Sequence, residues 1–90
     1  MKVTWDPNKA RANLAKHGVR FSDVEIVLFD PTALSREDEG SEGEQRFVTV
    51  GSDALGRVLT VVYSYQGDTI RIISARKATG SERKAYEAGV

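Results

Sequence analysis

Apolar residues change their spacing along the chain, and the changes divide it into elements. Residues 2–5 alternate over a short span and predict an edge strand. Asp6 then stands where an N-cap belongs and Pro7 at the first helical position, so a helix is predicted to run to about Lys16. Gly18 suits its left-handed C-terminal cap. Ser22 caps a second predicted helix over 23–29, with Val24, Val27 and Leu28 as its apolar stripe and Asp30-Pro31 as its stop. Residues 32–44 are polar, acidic and glycine-containing, which predicts a mobile loop.

From residue 45 the spacing shifts towards two. Three strands are predicted, over 45–52, 57–65 and 69–76, parted by the turn residues Asp53-Ala54-Leu55-Gly56 and Gln66-Gly67-Asp68. Short turns of this kind make antiparallel hairpins. Thr79 and Glu82 have capping-box spacing ahead of a last helix over 81–88. The predicted order is β-α-α-β-β-β-α, an α+β fold with helices packed on an antiparallel sheet. Val58 and Val62 alternate with Leu59, Val61 and Tyr63, so the central strand has two apolar faces to cover.

Size adds one constraint. Ninety residues, taken as a single domain over 1–90, bury a modest core, so a stabilising partner is expected. No apolar run approaches the ~20 residues of a membrane helix or resembles a signal peptide, which makes the cytoplasm the expected compartment. Cysteine is absent, so there are neither disulfides nor thiolate ligands.

Charge changes the picture more. Thirteen cations balance thirteen acids, which by itself argues against a nucleic-acid ligand. The distribution is uneven, however. Residues 1–20 carry five cations against Asp6, and residues 71–84 carry five against Glu82. Eight acids fall between Asp23 and Glu44, with Arg36 their lone counterpart. Such segregation builds a basic and an acidic face on a neutral molecule.

The basic segments hold the candidate chemistry. On the first helix Lys9, Asn13, Lys16 and His17 fall within an arc of about 100°. A histidine at a helix C-terminus is by itself a good partner for the helix dipole. Beside Lys9 and Lys16 it reads equally as a proton-transfer group. Asn13 reads equally as a buried amide serving nearby backbone. In the last strand, alternation puts Arg71, Ile73, Ala75 and Lys77 on one face and Ile70, Ile72, Ser74 and Arg76 on the other. A bulge near Ser74 would carry Arg76 across. Arg71 is read equally as the partner of a loop carboxylate, and Arg46 opens a strand that lies beside these on the sheet. One histidine and scattered carboxylates do not form a metal set, so no metal and no cofactor are expected. What remains is a cationic surface with groups able to move protons. That suffices to cut RNA, given a base for the 2′-hydroxyl, cations for the phosphorane and an acid for the leaving oxygen.

Trp5-Asp6, Lys9, Asn13, Lys16-His17-Gly18, Phe21, Asp30-Pro31, Arg46, Gly51, Gly56, Arg71-Ile72-Ile73-Ser74-Ala75-Arg76-Lys77-Ala78, Glu82-Arg83 and Tyr86 together resemble the BrnT family. The resemblance covers residues 5–86. It implies a toxin of a type II toxin–antitoxin module with a RelE-like fold: a metal-independent endoribonuclease that inhibits translation. It also implies a BrnA-type antitoxin with a ribbon-helix-helix DNA-binding part, through which alone the complex would meet operator DNA. Position in the motif makes His17, Lys16, Arg76 and Arg71 the catalytic candidates and Lys9, Arg46 and Lys77 the RNA-binding ones. The alternative is a non-catalytic regulatory or degenerate module that binds the antitoxin and acts in operon repression.

Overall fold

The computed structural model describes residues 2–40 and 43–89. Its elements are β1 (Lys2–Thr4), α1 (Pro7–His17), two short 3₁₀ turns (Phe21–Asp23 and Glu25–Phe29), β2 (Leu34–Asp38), β3 (Arg46–Ser52), β4 (Val58–Gln66), β5 (Thr69–Lys77) and α2 (Gly80–Ala88). They form an α+β fold on one five-stranded sheet of spatial order β1-β5-β4-β3-β2.

The caps behave as the sequence predicts. Asp6 accepts from the Asn8 N–H at 2.8 Å, and Gly18 closes α1 at φ 69°. Only a residue without Cβ takes that conformation at little cost. The Thr79–Glu82 capping box forms in both directions. β3, β4 and β5 pair as antiparallel hairpins, and β1 lies at an edge.

Three expectations are corrected. The sheet is mixed, because β1 runs parallel to β5; α1 and the remaining strands separate the two in sequence, and such a crossover permits parallel pairing. The 32–44 segment is not all loop: Leu34–Asp38 is a fifth strand, paired with β3 from Leu34↔Val50 to Asp38↔Arg46. Lying at the sheet edge and exposed along most of its length, it has no apolar alternation, and charged residues are usual on such edges. Ser41 and Glu42 of that segment lie outside the described residues. The predicted second helix is instead the pair of 3₁₀ turns. Phe21, Val24 and Val27 are spaced by three and are all essentially fully buried, and three residues per turn is the 3₁₀ period.

The core lies on one face of the sheet. Leu59, Val61 and Tyr63 of β4 and Ile70, Ile72 and Ala75 of β5 meet Val19, Phe21, Val24 and Val27 there. Ile70 and Ala75 share that face because β5 carries a bulge: Val62 pairs with Ser74 and Tyr63 with Ile72, leaving Ile73 as the extra residue. The same bulge puts Arg76 on the face of Arg71. Where β1 ends, opposite Arg71, the far half of β5 lacks a neighbouring strand on that side. Asn13 of α1 fills the place: its Oδ1 accepts from the Ala75 N–H at 3.1 Å and its Nδ2 donates to the Ala75 carbonyl at 2.8 Å. Asn13 is therefore the buried amide anticipated as one of its two readings.

Candidate anion-binding face

The second face of the sheet is covered at one end only. Glu82 of α2 grips it there, accepting from Arg76 Nη1 at 2.8 Å and Nη2 at 3.1 Å, from the Thr60 hydroxyl at 3.0 Å and from the Thr79 N–H at 2.8 Å. These donors, led by the Arg76 guanidinium, bring the Glu82 carboxyl down from 4.5 to about 2. At the C-terminal end of α2 the Tyr86 hydroxyl donates to Asp30 at 2.6 Å, and Asp30 also accepts from the Ser52 N–H and from Thr32. Tyr86 first, then those backbone donors, hold the Asp30 carboxyl well below the usual carboxylate range.

Beyond α2 the face carries polar side chains and is half-buried. Cross-strand register places Asp38 opposite Arg46, Ser64 opposite Arg71 and Arg71 opposite Thr4, and the β3–β4 register carried on by one residue from Phe47↔Tyr63 sets Arg46 beside Ser64, one row across the sheet. The next row holds Arg36, Val48, Val62 and Ser74. Glu44, just ahead of β3, reaches over the first row and accepts from Arg71 Nη2 through both oxygens, at 2.7 and 2.6 Å. The fully buried Ser64 hydroxyl makes no well-formed hydrogen bond, yet it sits close enough to that carboxylate to act on it. Ser64 and Arg71, with a contribution from Arg46, hold the Glu44 carboxyl below its ordinary value. Arg71 thus has the loop carboxylate that one of its readings required. The Nε groups of Arg46 and Arg71 are buried and have no acceptor among the described residues. Buried donors of this kind are rare in folded proteins. Here two of them flank one serine.

The residues named from the sequence divide accordingly. Arg46 and Arg71 come together, and Arg76 shares their face with its guanidinium engaged by Glu82. Lys9, Lys16 and His17 lie on α1, which runs against β5 through Asn13; Lys9 and Lys16 are exposed and His17 is half-buried. Lys77 is exposed at the end of β5. Sequence reasoning missed Arg36, Glu44 and Ser64, whose places depend on strand register. Arg36 is placed by the β2–β3 register and Ser64 by the β4–β5 one. Among the described residues no three His, Asp or Glu side chains converge as metal ligands. A cleft of about 600 Å³ lies elsewhere, between the 3₁₀ turns and the β3–β4 turn. It is lined by Ile26, Phe29 and Leu55 with Asp23, Glu25 and Asp53, which is no surface for an anion.

Two arginines, a serine and a carboxylate gathered on one sheet face of an α+β protein make a candidate anion site. Residues 5–82 match the family model described as the ribonuclease toxin BrnT of type II toxin–antitoxin systems. The chain belongs to that family. It is also similar to the Brucella abortus ribonuclease toxin BrnT, known from a 1.1 Å crystal structure: 28% identity, 88% of this chain and 97% of that one covered, TM-score 0.73. No curated protein matches it. No helix among the described residues is long and apolar enough to cross a membrane.

Proposed function

We propose that this chain is a metal-independent endoribonuclease that blocks translation by cutting single-stranded RNA and is neutralised by a ribbon-helix-helix antitoxin of the BrnA type. One observation carries the reading: Arg46 and Arg71 stand on either side of Ser64, on the sheet face beyond α2, with buried Nε donors that have no acceptor among the described residues. A phosphate oxygen supplies the acceptor those donors lack, and two guanidiniums match its geometry. Membership of a ribonuclease toxin family supports the choice of RNA over other phosphates.

In this reading Arg46 and Arg71 bind the scissile phosphate and stabilise the pentacovalent phosphorane formed when the 2′-hydroxyl attacks. Such stabilisation and positioned proton transfer need no redox step and no carrier group. Lys9, Lys16 and Lys77 are exposed along the β5 side of the molecule and extend the cationic track for neighbouring phosphates. His17, the side chain whose ordinary pKa lies nearest neutrality, is the candidate proton donor to the leaving oxygen. Arg76 acts through Glu82 by fixing α2, which bounds the face. Operator DNA is met only through the antitoxin, in the cytoplasm.

The test is incubation of the purified chain with a single-stranded RNA in excess EDTA. Cleavage leaving 2′,3′-cyclic phosphate ends is expected, with a 2′-deoxy residue abolishing the cut at its position. Intact RNA, or cleavage that stops when the chelator is added, overturns the proposal.

A further inference from the structure

A base for the 2′-hydroxyl must be ionised, adjacent to the phosphate grip and reachable by RNA. Among the acids on the described residues, three are fully engaged by internal donors. Asp30 takes Tyr86, Ser52 and Thr32; Asp53 takes Arg57 and the Leu55 N–H; Glu82 takes Arg76, Thr60 and Thr79. Glu44 is different. Its side chain is 37% exposed, and it touches the very arginine that the phosphate would take.

Building on the ribonucleolytic reading above, we propose that Glu44 is the general base of RNA cleavage, taking the proton of the attacking 2′-hydroxyl while Arg71 and Arg46 hold the attacked phosphate. The 2′-oxygen electron pair forms the new O–P bond and the P–O5′ bond breaks. O5′ takes its proton from His17, the donor assigned above, and Glu44 returns its own to the imidazole by way of solvent. RNA is thereby isomerised to a 2′,3′-cyclic phosphate and a 5′-hydroxyl with no net change in protons. Charge moves with the proton. As Glu44 becomes neutral its hold on Arg71 weakens, just as negative charge builds on the phosphorane oxygens beside it, so the guanidinium is released where it is needed. Interactions that strengthen only as the barrier is climbed are those that raise the rate.

The groups facing Glu44 are Arg71 on β5, Ser64 on β4 and Arg46 on β3, with Asp38 on β2 opposite Arg46. Ser64 and Arg71 outweigh burial and keep the carboxyl ionised through the whole neutral range. The Glu44 contribution to the rate should therefore be lost only below its ordinary value of 4.5, as the carboxylate is protonated.

Glu44→Gln in the full chain tests the assignment. Cleavage of a single-stranded RNA should fall by ~10²–10⁴-fold. Binding of the uncleavable 2′-deoxy analogue should stay the same or tighten, because a negative charge beside Arg71 has gone. Glu44→Ala should be equally slow and regain part of its rate with added formate, a rescue that a purely structural role would not allow. A glutamine variant that cleaves within about threefold of the parent overturns the proposal, because a removed base costs far more than that. A faster variant also overturns it, and would make Glu44 an internal competitor for the phosphate site. A parent chain that cuts no RNA removes the ribonucleolytic reading and this inference together; an active parent with an active glutamine variant removes only the latter.

Discussion

Asn13 does for the outer half of β5 what a neighbouring strand would do, pairing with both backbone groups of Ala75 and also donating to the Val19 carbonyl at 3.0 Å. Each buried backbone group left without a partner costs about 1–3 kcal/mol. Asn13→Ala strands the Ala75 N–H and two carbonyls, and because water reaches a sheet edge we place the total at about 2–4 kcal/mol. For a domain of this size each kcal/mol lowers the melting temperature by roughly 4–8 °C. A thermal melt checks it, and an unchanged midpoint would show that water replaces the amide freely. Asn13→Asp, which keeps the acceptor and loses the donor, should also melt early. At this scale the sequence was half legible. It showed an asparagine in the middle of a basic helical arc but not which backbone it served, because Ala75 lies sixty-two positions away. Ser64 and Glu44 were not legible for a similar reason. A lone serine in a strand and one acid among eight become part of a site only through register.

Elements with local signals were read correctly. α1 has Asp6, Pro7 and Gly18, and α2 has the Thr79–Glu82 box, all set within a few residues of backbone. The hairpins follow from Val- and Ile-rich alternation with turn glycines at positive φ, Gly56 and Gly67. What failed was of another kind. β2 has no apolar face to announce it, and Phe21, Val24 and Val27 fit a spacing of three where a helix was expected. Close approach also shapes this region: a Cβ on Gly51 would meet the Val27 carbonyl and Cγ1 at 3.1 Å. The docking of α2 yields a prediction at element scale. Glu82 titrates at about 2 in the folded protein instead of 4.5, and Asp30 is lowered as well. A carboxyl with a depressed folded pKa adds stability above its unfolded value and loses it as pH falls through the folded one. The melting temperature should hold from neutrality to about pH 5 and drop progressively towards pH 2. Glu82→Gln should melt lower at pH 7 and show a shallower acid drop. Parallel acid limbs in parent and variant would show that Arg76 and Glu82 contribute no linkage.

The whole molecule is neutral, and its capacity to hold a polyanion rests on where thirteen cations sit rather than on their number. Folding sorts them. Arg57 is drawn to Asp53 and Asp23, Arg76 to Glu82 and Arg83 to Glu87, so these are neutralised within the fold. Arg71 pairs with Glu44 through Nη2, but it and Arg46 keep Nε donors with no acceptor among the described residues, and Arg36, Lys9, Lys16 and Lys77 project from exposed positions. Salt dependence separates the two groups. Each phosphate neutralised on a single strand contributes a slope of about −0.7 to log affinity against log salt. Arg46→Ala and Arg71→Ala should each flatten the slope measured with an uncleavable 2′-deoxy oligonucleotide by about that much. Arg76→Ala should do something else. It leaves Glu82 without its fork and so lowers the melting temperature, while the slope at a temperature where the protein stays folded should hardly change. If Arg76→Ala flattened the slope as much as Arg71→Ala, its pairing with Glu82 would have to open on binding, and the cationic face would extend under the N-terminal end of α2. If none of the three changed it, RNA would be held along α1 and the end of β5, and the row from Asp38 to Thr4 would be structural.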